Sequence, residues 1–269
     1  MQRSTGQKPP VQEVKKPILI GSWHGKDTWK LGGKVMASQL MVVALFLLLG
    51  TLLSFDSLFF RVLFCGMLVA AAFGILYSQG LTAGQQGAAF AEIMYVRQQE
   101  GKEVPPSDRD RCYHPGKGYF AALLGVLPYL LVALVFAFLA QPVLHTLGVL
   151  PGWIREFTRQ SEFGNALGYY AAGQGMSAVD VLRIVVRAMV MPFVNVAILL
   201  GDKALLWVER LSPLLVCIPP LGFGLGYQKG LAARIRINTG IAIGDEKKKR
   251  KERKDRKRRA RSDSPERLI

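Results

Sequence analysis

The sequence predicts an all-α, polytopic helical membrane protein with five or six membrane segments and a disordered polybasic C-terminal tail. Apolar residues are concentrated in long runs, which cover most of 35–54, 58–78, 119–150, 188–201 and 211–227. About 20 apolar residues in a helix span the hydrocarbon core of a bilayer. The runs are continuous, whereas a membrane β-barrel requires alternating apolar and polar residues. The runs therefore favour membrane-spanning helices.

The segment 245–261 is strongly basic, in contrast to the apolar runs. It contains twelve Lys or Arg residues against four Asp or Glu. Such a block cannot bury apolar area, so we expect it to be disordered or at most a fluctuating helix. Together with the residues around it, it forms a predicted cytoplasmic basic tail at 229–269.

The charge distribution predicts that both termini are cytoplasmic. The formal net charge is +16, and Lys and Arg close to membrane spans are retained on the cytoplasmic side. The polar N-terminal arm, residues 1–34, is also basic just before the first apolar run. It is too long for the charged region of a cleavable signal, so we expect it to remain attached. Two cytoplasmic termini require an even number of crossings.

Residues 35–78 are predicted to form a transmembrane hairpin, and 79–118 a cytoplasmic helix and loop. Arg61, at the start of the second run, is expected to extend toward the lipid headgroups. Beyond the hairpin the chain is rich in helix formers until Gly101, and the pair Pro105–Pro106 follows. Glycine and proline at these places end helices. We therefore expect the second spanning helix to continue into the cytoplasm and to stop near residue 100.

The membrane region 119–228 holds the remaining spans and a polar or re-entrant segment. The simplest count gives crossings at 35–54, 58–78, 119–140, about 181–201 and about 205–227, an odd number that would place the basic tail outside. Three arrangements restore an even number. Residues 119–150 could form a hairpin, 163–179 could be a polar sixth crossing, or one late segment could be re-entrant with its break at Pro219–Pro220. The sixth crossing is the arrangement that we favour.

Two similar stretches raise the question of an internal duplication. "FGILYSQGLTAG" at 73–84 and "FGLGYQKGLAAR" at 223–234 share six residues in register. Both end an apolar run and lead into a charged stretch. A true repeat would relate the hairpin 35–78 to a second hairpin at 185–228 in the same orientation. Chance similarity in a chain rich in Leu, Ala and Gly remains the other explanation.

A polar stripe in the segment 174–195 is the candidate functional site within the membrane region. Asp180, Arg183 and Arg187 recur at helical spacing, and Asn195 follows deeper in the apolar run. Charge within a membrane is costly and marks substrate pathways, so these residues form a candidate polar path. The alternative is an interfacial helix start whose arginines extend to the headgroups, with the asparagine bonded to a neighbouring helix.

The tail has three interpretations. It could hold anionic lipid headgroups, bind RNA or ribosomes, or act only as a topology determinant. No aromatic residue is interleaved with its charges for stacking on bases, which favours lipid over nucleic acid. The candidate contacts to lipid headgroups or other anions are Lys247, Lys248, Lys249, Arg250, Lys251, Arg253, Lys254, Arg256, Lys257, Arg258, Arg259 and Arg261.

The sequence gives little indication of an enzyme. It lacks the HExxH, CxxC, P-loop and GxSxG patterns, and Cys112 with His114 offers too few ligands for zinc. We therefore expect no catalytic residues, no cofactor and no metal, although a lipid-modifying enzyme could hide its residues among ordinary polar ones. The three cysteines are widely separated, which does not indicate a disulfide framework.

Two functional hypotheses follow. The first is a non-enzymatic structural or accessory component of a membrane complex, with an anionic-lipid-binding tail and with a membrane-protein partner or a second copy of itself. The second is a small transporter or channel with a path near Arg183, Arg187 and Asn195. The short loops and the basic tail suggest a multi-pass protein of a bacterial plasma membrane.

Overall fold

A computed structural model describes residues 13–52, 55–141 and 177–262, with side chains described as far as residue 256. Every regular element in these residues is a helix, which confirms the all-α prediction. The helices are α1 (Lys26–Leu52), α2 (Leu58–Gln99), α3 (Pro106–Arg111), α4 (Lys117–Leu139), α5 (Ala178–Met189), α6 (Met191–Leu200), α7 (Asp202–Val216) and α8 (Ile218–Ser262). The chain divides into a first unit, within 1–30, 77–120 and 223–269, and a second unit, within 31–76 and 121–222.

Four stretches in the described residues are long and apolar enough to cross a membrane. They are α1, α2, α4 and the stretch that α7 and α8 form together. The pair α5–α6 is a fifth candidate if it counts as one broken span, because its two helices meet at 104°. Residues 163–176 of the polar sixth crossing expected at 163–179, and residues 142–150 of the hairpin expected at 119–150, lie outside the described residues.

The crossing expected at about 181–201 is wrong as a straight span. The helix breaks between Met189 and Met191, and Pro192 follows in the first turn of α6. Proline lacks the N–H that a continuing helix would need and clashes with the preceding turn. A second turn follows at Gly201, whose φ of +97° suits glycine.

Proline does not break a helix at two other places, the pair Pro219–Pro220, where a break was expected, and Pro128 in the segment 119–150. Pro219 and Pro220 lie in the first turn of α8, where a missing N–H costs nothing. Pro128 lies inside α4, which continues to Leu139. The segment expected to form a hairpin at 119–150 therefore has no break at Pro128, and the sharp bend in the described residues lies between α5 and α6, next to Pro192.

In the first unit, α2 and α8 pack closely through glycines. A Cβ atom on Gly80 would overlap the carbonyl of Phe223, and one on Gly226 would overlap the carbonyl of Tyr77. Gly84 faces Tyr227 in the same way. Gly230 also faces Gly84, whereas Gly226 faces Tyr77 seven residues earlier in α2, so later residues of α8 face later residues of α2 and the two helices run parallel. The similar stretches 73–84 and 223–234 contribute to this contact from opposite sides.

The N-terminal segment of the first unit is bound along these helices. The amide of Val14 donates to Thr239 Oγ1 over 3.0 Å, and the amide of Leu19 donates to the carbonyl of Ala91 over 3.2 Å. Gly21 donates in turn to the carbonyl of Tyr113 over 3.0 Å. These long-range hydrogen bonds give an extended segment with no regular structure a fixed course.

The core of the second unit lies between α4 and the helices α5–α7. Val126 and Ala133 of α4 form one buried cluster with Val190, Val194 and Val216. Farther along α4, Phe136 is buried together with Val186 of α5 in a second cluster. These contacts hold the broken helix pair α5–α6 against a continuous helix.

The polybasic segment is helical as far as it is described, which is the second of the two forms that its composition allowed. Helix α8 continues through 245–262. Lys, Arg and Glu are good helix formers, and Glu246 pairs with Arg250 one turn later at 3.7 Å. A helix can therefore extend through these residues without burying any of them, and every described side chain from 244 to 256 is exposed.

Candidate functional site

The centre of the candidate site is Glu209 of α7, a side chain only 2% exposed. Its Oε1 atom lies 2.6 Å from Arg187 Nη2, and Arg187 Nε donates to the same oxygen over 2.7 Å. Arg183 Nε lies 3.5 Å from that oxygen. Two guanidinium groups of α5 therefore share one carboxylate oxygen of α7. We call Arg183, Arg187 and Glu209 the arginine–glutamate cluster.

Local sequence features orient α5 for this contact. Ser177 and Asp180 form a capping box at the start of the helix, in which each side chain accepts from the other residue's backbone amide. Arg183 follows at three residues and Arg187 at seven, so both extend from the same face as Asp180. Arg183 also lies 3.7 Å from Asp180 and donates to the carbonyl of Gln141 over 3.0 Å.

The exposed face of α5 is apolar, while its charged face contacts Glu209. Val181, Ile184 and Val185 are the exposed large apolar residues of the helix. This arrangement is the reverse of a surface helix in water, and charged residues within membranes typically face the protein interior in this way. The arginines therefore bind Glu209 and do not extend outward as the interfacial interpretation required.

Asn195, the fourth predicted path residue, makes a different set of contacts. Its side-chain amide donates to the carbonyl of Gly50. Its backbone carbonyl accepts from Arg61 Nη1 over 3.0 Å. Arg61 Nε donates to the carbonyl of Phe55 over 2.6 Å. Arg61 is thus buried, contrary to the expectation that it extends to the headgroups. The structure brings Asp180, Arg183 and Arg187 together, whereas Asn195 joins Arg61.

The sequence analysis missed Glu209, although a signal was present. Glu209 is the only acidic residue in the span predicted at about 205–227. A lone carboxylate within a predicted span requires a partner in the same way as the arginines do. Pairing the unexplained charges of neighbouring predicted spans would have suggested the contact.

A second buried ion pair, also missed, lies in the first unit. Lys117 is fully buried, and its Nζ lies 2.6 Å from Asp27 Oδ2 and 2.6 Å from the carbonyl of Asp110. The carboxylate of Asp110 accepts from the Ser22 hydroxyl and from the Lys26 amide. The hydrogen bond from Ser22 is the main cause that lowers the pKa of Asp110, which keeps this carboxylate ionised at neutral pH.

Two residues shortly after Asp110 have raised pKa values, because they are buried. Burial raises the pKa of the Cys112 thiol and of the Tyr113 hydroxyl. A raised pKa leaves the thiol protonated and weakly nucleophilic at neutral pH. Tyr113 stacks on Tyr227, with ring centroids 5.5 Å apart, and donates to the carbonyl of Gln228 over 3.0 Å. These groups join segments of the first unit, and their geometry suits a structural role.

The tail residues predicted to contact anions are exposed as far as they are described. From Lys247 to Arg256 every side chain is accessible, and the Arg250–Glu246 pair is the one ion pair described among them. The side chains of Lys257, Arg258, Arg259 and Arg261 lie outside the described part. Within the described residues, no group of three or more His, Cys, Asp or Glu side chains is placed to hold a metal ion.

Comparison of the chain with protein-family models, with curated proteins and with solved structures finds no match in any of the three.

Proposed function

We propose that this chain is an integral plasma-membrane protein that serves as a structural or accessory component of a membrane complex. In this proposal α1, α2, α4 and α7–α8 cross the bilayer, and α5–α6 is a re-entrant element. Both termini are cytoplasmic. The observation that carries the proposal is helix α8, which joins an apolar membrane segment to an exposed polybasic segment without a break in the described backbone.

The parallel packing of α2 and α8 supports this topology. The contacts of Gly226 with Tyr77 and of Gly230 with Gly84 require both helices to run in the same direction. With four crossings, α2 and α8 are the second and the fourth, and both run from outside to inside. Their charged continuations then lie on the cytoplasmic side, as the distribution of Lys and Arg predicts. Three or five full crossings would place the two termini on opposite sides.

The helix lengths support the re-entrant element. Helix α4 has 23 residues and extends about 34 Å, enough for a hydrocarbon core of about 30 Å. Helices α5 and α6 have 12 and 10 residues and extend only about 18 Å and 15 Å. With a bend of 104° between them, neither helix alone reaches across the core. Apolar residues exposed on α5 are then covered by lipid.

Side-specific labelling tests the topology. In a variant without the three natural cysteines, Lys203→Cys introduces one exposed thiol at the start of α7, and Glu103→Cys introduces one in the loop after α2. We expect a membrane-impermeant maleimide to label residue 203 on intact cells and residue 103 only after the membrane is opened. Lys249→Cys should behave like Glu103→Cys. Labelling of all three from one side would contradict the four-crossing topology.

The polybasic segment is proposed to hold anionic lipid headgroups. Each Lys or Arg near an anionic surface contributes about 1 kcal/mol, and the described side chains from Lys247 to Arg256 are free to face such a surface. We expect trypsin to cleave this segment more slowly in proteoliposomes of anionic lipid than in neutral ones. High salt should abolish the difference, because it screens exposed charges. Cleavage at the exposed Lys102 serves as the internal control.

The result separates the interpretations of the tail. Equal cleavage rates in the two lipids would contradict lipid binding. Protection that appears in neutral vesicles only when RNA is added would favour the nucleic-acid interpretation instead.

The arginine–glutamate cluster favours a small transporter or channel as the second candidate function. Buried charges beside a broken helix are typical of transport sites at membrane depth, and Glu209 pairs with α5 close to its break at Met191. In this alternative, Arg187→Gln should abolish proton or chloride flux in proteoliposomes, while deletion of 245–269 should leave the flux intact. In the scaffold interpretation, Arg187→Gln should change the amount of inserted protein without any flux to lose.

A further inference from the structure

Exposed aromatic residues and exposed lysines lie together in the first unit, at the point where α1 begins. Trp23 and Trp29 are 48% and 63% exposed, and Ile20 before them is also exposed. Lys26 and Lys30 are exposed at the same end of the helix. Large apolar side chains exposed next to cations are typical of surfaces that bind a partner or a membrane. We call Trp23, Lys26, Trp29 and Lys30 the tryptophan–lysine surface.

Helical spacing places three members of this surface on the outer side of α1. Successive residues of an α-helix are about 100° apart around the axis. Lys26, Trp29 and Lys30 therefore lie within about one third of the circumference. Thr28 and Val35 lie on the opposite side and are fully buried. The charged side of α1 thus faces away from the residues against which the helix packs.

Trp23 precedes α1, and contacts within the first unit hold it in place. The hydroxyl of Thr28 donates to the carbonyl of Trp23 over 3.1 Å. The ring of Trp23 meets the ring of Phe120 edge to face, with centroids 5.0 Å apart. The hydroxyl of the preceding Ser22 donates to the carboxylate of Asp110. These contacts present the indole of Trp23 at a fixed position beside α1.

The lysines of the surface have no described carboxylate as a partner. Two carboxylates lie close to the start of α1, and both are already engaged. Asp27 pairs with the buried Lys117 at 2.6 Å, and Asp110 accepts from the backbone amide of Lys26 over 3.2 Å. None of the described ion pairs includes Lys26 or Lys30. The ammonium groups are therefore available to an anion outside the protein.

The position of the surface along α1 matches the headgroup region of a bilayer. Helix α1 has 27 residues and extends about 40 Å, of which a hydrocarbon core takes about 30 Å. The uncharged part of the helix begins after Lys34, so the first two turns lie outside the core. Indole rings settle at the level of the headgroups. With the N-terminus cytoplasmic, as proposed above, the surface meets the cytoplasmic leaflet.

We propose that the tryptophan–lysine surface binds the headgroups of anionic phospholipids in the cytoplasmic leaflet. The ammonium groups of Lys26 and Lys30 contact the lipid phosphates, and the indoles lie between neighbouring lipids. The proposal rests on the membrane insertion proposed above, and it does not depend on the polybasic segment. It gives the N-terminal segment a second fixed end, because Val14 and Leu19 are already bound to α8 and α2.

Quenching of tryptophan fluorescence by brominated lipid tests the proposal. The full chain, with Trp29 kept and phenylalanine at the other three tryptophan positions, is reconstituted into vesicles with one fixed ratio of phosphatidylglycerol to phosphatidylcholine. The bromine is carried by phosphatidylglycerol in one sample and by phosphatidylcholine in the other. We expect about fivefold selectivity for phosphatidylglycerol near Trp29 at low salt, which is the factor that one lysine near an anionic surface contributes. High salt should reduce the selectivity toward one.

Two matched charge variants identify the cations that cause the selectivity. Lys26→Gln with Lys30→Gln should abolish it. Lys247→Gln with Lys251→Gln removes the same charge from the polybasic segment and should leave it unchanged. All four lysines are exposed, so either double variant should fold.

A second reporter position gives the reference for ordinary lipid contact. Phe138→Trp, in a chain without the natural tryptophans, places the fluorophore at an exposed position of α4. No charged residue lies within one turn of this position. The selectivity for phosphatidylglycerol should therefore be close to one there.

Four results are decisive against the proposal. The same selectivity at positions 29 and 138 would exclude a headgroup site at this surface. Loss of selectivity in the Lys247→Gln and Lys251→Gln protein would assign the anionic lipid to the polybasic segment. Quenching at position 138 but not at Trp29 would mean that a protein partner or a second copy covers the surface. Absence of quenching at both positions would instead contradict membrane insertion, and with it the proposed function.

Discussion

Replacement of Glu209 by glutamine is expected to lower the free energy of unfolding by about 3 kcal/mol, because it leaves Arg187 and Arg183 without their shared counter-charge. Arg187 is 30% exposed and Arg183 14% exposed, so water can compensate only part of the lost interaction. Removal of one partner of a buried ion pair usually costs about 3–5 kcal/mol. The partial exposure of Arg187 places this substitution at the low end of that range. Reversible unfolding in mixed micelles of SDS and a mild detergent gives the measurement.

Glu246→Gln is the matched control, since it removes the same charge from an exposed pair. Glu246 and Arg250 are 72% and 79% exposed, and exposed pairs contribute about 0.5 kcal/mol or less. The double variant Glu209→Gln with Arg187→Gln should regain part of the stability lost in the single variant, because it removes one unpaired cation. If Glu209→Gln behaved like Glu246→Gln, the arginine–glutamate cluster would not stabilise the fold.

Much of the helical architecture could be predicted from the sequence, because hydrophobicity along a chain is a local property. The apolar runs indicated the cores of α1, α2 and α4, and Gly101 indicated the end of α2. The local capping signal at Ser177 and Asp180 was also readable, since a capping box involves residues only three apart. The conformation of the polybasic segment could be predicted only from its composition. Composition does not distinguish a disordered segment from an exposed helix of good helix formers.

The charged contacts were harder to predict, because they join residues far apart in sequence. Lys117 and Asp27 are 90 residues apart, and Arg187 and Glu209 are 22 apart. Spacing along one helix predicted that Arg183 and Arg187 share a face. It does not reveal which other helix packs against that face. The bend at Pro192 was missed because the pair Pro219–Pro220 was a more conspicuous signal. Prolines in a first helical turn do not break the helix, and only the helix boundaries reveal which turn a proline occupies.

Gly226→Ala and Gly240→Ala are expected to change the stability of the first unit in opposite directions. A methyl group on Gly226 would overlap the carbonyl of Tyr77 and the amide of Leu81, so α2 and α8 must separate to accommodate it. Overpacking of this kind costs about 1–3 kcal/mol, and the backbone neighbours of Gly226 place the effect near the upper value. Gly240 lies later in α8, and its Cβ position meets nothing within 4 Å. Alanine there should stabilise the helix by up to about 1 kcal/mol.

Gly226→Ala and Gly240→Ala are the same substitution in the same helix, so both should gain the same helix propensity. A difference in stability between them, and its sign, therefore reports the contact between α2 and α8. Gly80→Ala should resemble Gly226→Ala, because its methyl group would overlap the carbonyl of Phe223 from the other helix. The stretches 73–84 and 223–234 would then owe their similarity at least partly to one shared packing requirement, since Gly80 and Gly230 occupy equivalent places in the two stretches and both lie in the contact. If Gly226→Ala and Gly80→Ala were as stable as the native protein in thermal unfolding, close packing would not explain the shared glycines. A duplicated hairpin would then be the better explanation of the similarity.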